Sequence, residues 1–84
     1  MGDSETDQFI AEHAGRLQAD VFEFLKQEYR EPKEVMAITG ISASTLRRLA
    51  DSGKIEIKRV DEGHRRYKAI SVIRYKLKCE SADQ

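Results

Sequence analysis

The sequence predicts a mostly α fold with a small β-hairpin, an α+β class, and three observations carry that expectation. Through the first thirty residues, apolar side chains recur every three or four positions, which is the stripe of an amphipathic helix. ITGISASTLRRLADSGK then holds two shorter helical patterns joined at Gly40. After Gly53 the period changes to 2, with Ile55 and Ile57 on one side of KIEIKRV and Lys54, Glu56 and Lys58 on the other.

The first helix is expected over residues 6–29, with Phe9, Ile10, Leu17, Val21, Phe24, Leu25 and Tyr29 on its apolar side. It stops before Pro32, which disfavours helical geometry in the residue ahead of it. Gly15 inside the stripe costs about 1 kcal/mol relative to alanine, so the first two turns fray or form a separate piece. A second helix runs over 32–39 with Val35, Met36 and Ile38 apolar, and closes at Gly40. The third runs from Ala43 to Ser52, with the Ser42 hydroxyl as its cap on the Thr45 amide. Leu46, Leu49 and Ala50 face inward there, leaving Ser44, Arg47, Arg48 and Asp51 outside. DEG is the hairpin turn, HRRYK the returning strand, and Ile70, Ile73 and Leu77 mark a final helix before a polar tail, CESADQ. Three units follow: an acidic amphipathic helix in 1–31, a central domain in 32–78 and a flexible tail in 79–84.

A net charge of zero conceals a division. Residues 1–31 hold eight acids against three bases, a balance of −5, whereas residues 32–78 hold twelve bases against five acids, a balance of +7. A basic half of that size suits a polyanion. The composition, 39% hydrophobic and 36% charged, describes a thin core with a wet surface. No apolar run approaches the roughly eighteen residues needed to cross a bilayer, so no membrane partner is expected. MGDSETDQF lacks the basic-then-apolar layout of a secretory signal, and its Gly2 and Thr6 match only a short myristoylation pattern. The single cysteine, Cys79, cannot form an internal disulfide and fits a reducing, cytoplasmic setting. One cysteine and two distant histidines give no metal-ligand spacing, and no Ser/His/Asp or paired-carboxylate arrangement stands out. Neither metal, cofactor nor catalysis is expected.

Helix, short helix, tight turn, helix, hairpin and helix, in that order, make the plan of a winged helix-turn-helix, in which the second helix of the pair enters the DNA major groove. The turn needs a residue that tolerates positive φ, Gly40, then an apolar plug, Ile41. Strand alternation puts Arg65 and Arg66 on opposite faces of the hairpin, with Tyr67 on the face of Arg65. One arginine then holds the hairpin while the other reaches a phosphate. Double-stranded DNA is the expected partner, with Arg47, Arg48, Lys58, Arg59, Arg65, Arg66 and Lys68 as the cationic contacts.

Residues 34–77 resemble the DNA-binding domain of the mercury-resistance (MerR) regulators and of the related phage excisionases, in TGIS, STLRR, SGKI and GHRRY, in that order. The resemblance implies that Ser42, Ser44, Thr45, Arg47 and Arg48 lie on or beside the recognition helix, Arg47 against a phosphate or a base edge. It implies a wing tip of Gly63, His64, Arg65 and Arg66, with Arg65 on phosphate and Tyr67 packing the wing on the helices. Met36 departs from the small alanine usual there, and Ile70 replaces the serine that caps the helix after the wing. Arg48 and Leu49 stand in place of paired aromatics, nearer the excisionase branch. The function implied is sequence-specific duplex-DNA binding by a small transcriptional regulator or excisionase-type factor, nucleoid-associated. Two alternatives stay open: a protein-interaction module on a degenerate winged helix, and an architectural protein that packages DNA with little sequence choice. The N-terminal helix either covers the back of the domain or pairs with a second copy or a protein partner.

Overall fold

The computed structural model describes residues 4–61 and 63–82. Gly2 of the myristoylation pattern, Glu62 of the hairpin turn and residues 83–84 of the tail lie outside the described residues. The elements are α1 (Ser4–His13), a 3₁₀ turn (Ala14–Arg16), α2 (Ala19–Leu25), β1 (Tyr29–Arg30), α3 (Pro32–Thr39), α4 (Ala43–Asp51), β2 (Ile57–Asp61), β3 (His64–Lys68) and α5 (Ala69–Ala82). The fold is mostly helical with one small antiparallel sheet, an α+β winged helix-turn-helix.

The helix expected over 6–29 is divided at Gly15, where a separate first piece is expected, into α1, the 3₁₀ turn and α2, and it ends at Leu25 rather than Tyr29. The chain leaves helical geometry around Gly15, and Leu17 is extended, with φ −98° and ψ 133°. Tyr29 and Arg30 form a strand rather than a last helical turn, because their backbone pairs with Lys68 and Tyr67 of β3. Arg30 also closes α2. Its Nε donates to the Phe24 carbonyl at 2.9 Å and its Nη2 to the Glu23 carbonyl at 2.6 Å, satisfying acceptors that the helix end leaves open. At the other end of the chain α5 continues to Ala82, so the expected flexible tail is helical over 79–82. Its start, left unsettled by the loss of a capping serine, is Ala69. The buried Ser71 hydroxyl accepts from the Glu56 amide at 3.0 Å and donates to the Lys68 carbonyl at 2.8 Å, which ties β2 and β3 to the first turn of α5.

Only three residues separate α3 from α4, and they form as the sequence requires. Gly40 takes φ +74°, a left-handed conformation open to glycine, and its N–H donates to the Met36 carbonyl at 2.9 Å. The next amide, of Ile41, is satisfied by the Thr39 hydroxyl at 3.2 Å. Ser42 then caps α4, accepting from the Thr45 amide at 3.4 Å.

The sheet order is β1-β3-β2, so β3 is central. Its register pairs Arg30 with Tyr67 on one side, and Ile57 with Tyr67, Lys58 with Arg66 and Arg59 with Arg65 on the other. The register then slips by one, so that Asp61 faces His64 and Val60 is the extra residue of a bulge. One core serves the whole chain: Phe9, Val21, Phe24 and Leu25 from the N-terminal helices join Val35, Leu46, Ile55, Tyr67, Ile70, Val72, Ile73 and Leu77. Phe9, Val21, Phe24 and Leu25 of the N-terminal stripe are therefore covered within the chain, while Ile10 and Leu17 are partly buried. Val72, fully buried, was not on the expected α5 stripe; the start of that helix is enclosed on more than one side.

Candidate nucleic-acid interface

The inner face of the hairpin, the one turned toward the helices, is set by Tyr67. It is buried, and its cross-strand neighbour Ile57 packs against the same core. Alternation then places Arg65, two residues before Tyr67, on this inner face together with its partner Arg59. Against it stands α4, fixed by Leu46, which has no exposed surface. A cleft of about 290 Å³ lies between them, lined by Ala43, Leu46 and Arg47 of α4, Pro32 of α3, and Arg59, Gly63, His64, Arg65 and Tyr67 of the hairpin. Gly63 shapes the mouth, with φ +75° and no side chain.

Three arginines and a histidine converge on this cleft, and little offsets them. Arg47 and Arg59 are exposed and have no acid partner among the described residues. Arg65 is mostly covered; its Nη1 is buried and finds no hydrogen-bond partner, the nearest carboxylate oxygen, on Asp51, lying 3.9 Å away. A buried donor left unsatisfied costs about 1–3 kcal/mol. Arg59 opposite Arg65 is also a like-charge cross-strand pair, an arrangement that weakens a sheet. His64 stands 3.9 Å from Asp61 near the tip, both side chains well exposed.

The expected contact residues divide between faces. Ser44, Arg47 and Arg48 lie on the exposed side of α4. Ser42 and the half-buried Thr45 are partly committed to the helix cap: the Ser42 hydroxyl donates to Thr45 Oγ1 at 3.1 Å and lies 3.4 Å from Ser44 Oγ. Arg59, Gly63, His64, Arg65 and Tyr67 line the cleft. Lys58, Arg66 and Lys68 do not. They share the opposite face of the sheet with Tyr29, where Lys58 Nζ sits over the Tyr29 ring at 5.3 Å. Arg66 Nη1 is 3.1 Å from Glu31 Oε2, and Lys68 Nζ is 3.1 Å from Glu5 Oε1. The Glu5 carboxyl is held below its ordinary range, chiefly by the hydrogen bond from Lys68, and the Lys68 ammonium is raised in turn.

Lys33 and Lys54 were missed as candidate contacts. Both are exposed and lack an acid partner among the described residues, Lys33 directly after Pro32 of the cleft and Lys54 just beyond α4. Their signal was present in the basic balance of 32–78, but neither falls in a recognisable motif.

The family comparison matches residues 32–67, from the start of α3 to Tyr67, with the family described as MerR family regulatory protein. That segment is a MerR-like helix-turn-helix domain. The match supports a DNA-binding regulator in the general sense. No curated protein and no solved structure matches the chain. Among the described residues, no helix is long and apolar enough to cross a membrane, and no group of three His, Cys, Asp or Glu is placed to hold a metal ion.

Proposed function

We propose that this MerR-like chain binds duplex DNA sequence-specifically, with α4 in the major groove and the hairpin on the adjoining backbone. The observation that carries the reading is the convergence of Arg47, Arg59 and Arg65 on one cleft with no hydrogen-bonded acid among the described residues. Like charges gathered at some cost to stability mark a site kept for an anion. A phosphate oxygen at the cleft would supply the acceptor that Arg65 Nη1 lacks, and charge-assisted contacts of this kind are about twice as strong as neutral ones. Arg47 and Arg59 would hold the same strand. Ser44 and Arg48, on the exposed side of α4, would meet base edges. Lys33 and Lys54 extend the cationic track beyond the cleft. Residues 32–78 act in this reading as the DNA-binding unit, and 1–31 as its support. Arg48 and Leu49 in place of paired aromatics favour an excisionase-type relative over an effector-sensing activator.

Selection from a pool of randomised duplexes tests the reading. A single enriched motif is expected, and Arg48→Ala or Ser44→Ala should alter the preferred base at one position, by about 1–3 kcal/mol. Binding that ladders along DNA with no enriched motif would instead support an architectural role. Failure to retain any duplex would support a protein-interaction module.

A further inference from the structure

The two faces of the hairpin carry similar numbers of cations but differ in their acids. On the inner face Arg59 and Arg65 oppose each other, and among the described residues the acid beside them is Asp51, at 3.9 Å from Arg65. On the outer face the corresponding pair, Lys58 and Arg66, is followed along β3 by Lys68. There Glu31 meets Arg66 at 3.1 Å, while Glu5 meets Lys68 at 3.1 Å and Arg74 at 3.5 Å. Glu56 stands 3.9 Å from Lys68 as well. Glu5 and Glu31 both come from the acidic N-terminal segment, 63 and 35 residues away from the bases they meet on β3. The N-terminal helix is locked into place by Phe9, buried in the core and stacked at 5.5 Å under the Arg74 guanidinium.

Exposed ion pairs of this kind stabilise a fold by about 0–1 kcal/mol, so stability is a weak reason for them. Their effect on a polyanion is larger. A cation gains affinity for DNA chiefly by displacing the counterions condensed on a phosphate. One already neutralised by a carboxylate must first lose that partner, and the freed carboxylate then repels the strand. We propose that Glu5 and Glu31 are specificity-determining residues: they close the outer face of the sheet to DNA, so that a duplex is gripped only through the inner cleft beside α4. This rests on the inner cleft being the DNA site. It assigns the N-terminal segment a part in DNA choice that packing alone does not require.

The test compares the unmodified chain with the double variant Glu5→Gln/Glu31→Gln, in which shape is kept and charge removed. Each is titrated across salt concentrations against its selected motif and against short duplexes of random sequence. The double variant should steepen the log K against log salt slope on random DNA by about 0.9 for each phosphate newly reached. Its preference for the selected motif over random DNA should fall several-fold. Adding Arg66→Gln and Lys68→Gln to the double variant should return the random-DNA slope to that of the unmodified chain. Glu31 is also the N-cap residue of α3, where its N–H donates to Glu34 Oε1 at 3.1 Å. Circular dichroism therefore checks folding, and Glu5→Gln alone, which leaves that cap intact, should show the same change at smaller size. An unmodified chain that binds with a steep slope, beside variants with the same slope and the same preference, would overturn this proposal and leave the DNA site standing. An unmodified chain with no salt-dependent binding would remove both.

Discussion

Leu46→Ala is expected to lower stability by about 2–5 kcal/mol, the range for deleting a leucine side chain that is fully enclosed. Leu46 has no exposed surface and anchors α4 beneath the cleft, alongside Tyr67. In a domain of this size each kcal/mol lowers the melting temperature by about 4–8 °C, so a loss of roughly 10 °C or more follows. Thermal unfolding followed by circular dichroism reads it directly. Leu49→Ala on the same helix, at a half-buried site, should cost clearly less. Equal losses at the two positions would mean that α4 does not rest on Leu46.

Arg47→Gln should leave stability within about 0.5 kcal/mol, because Arg47 is exposed and has no partner among the described residues to lose. Its effect falls on DNA. Removing a charged donor of this kind costs about 1.5–3 kcal/mol, roughly tenfold or more in affinity, and should flatten the salt slope by about 0.9. Fluorescence anisotropy with a labelled duplex at several salt concentrations gives both numbers. Arg66→Gln is the matched comparison, since Arg66 is held by Glu31 on the outer face. It should change the slope little. A larger loss at Arg66 than at Arg47 would place DNA on the wrong face of the hairpin.

Features fixed by neighbours in sequence were legible. The left-handed Gly40, the Ser42 cap and the buried Leu46 each depend on a few adjacent residues, and each is found where the pattern puts it. The strand expected from Lys54, by contrast, begins only at Ile57 and runs on to Asp61. Alternation also gave the opposite facing of Arg65 and Arg66, and the inward Tyr67. What was hidden depends on distant partners. Tyr29 and Arg30 read as the end of a helix because their hydrogen-bonding partner, β3, lies more than thirty residues further on. The bulge at Val60 leaves no mark in a run of alternating residues. The same holds for the site: the cations could be counted, but not which of them acids from the far end of the chain would neutralise. Arg66 and Lys68 look in the sequence no different from Arg59 and Arg65. Only the fold, by bringing Glu31 and Glu5 to one face, separates them.

The central claim is that the inner cleft and the exposed side of α4 form a DNA surface of four or five free cations. Its most direct measurement is the salt dependence of the unmodified chain's affinity for its selected duplex. Four or five phosphate contacts predict a log K against log salt slope of about −4. A response flatter than about −1, with binding otherwise intact, would contradict it.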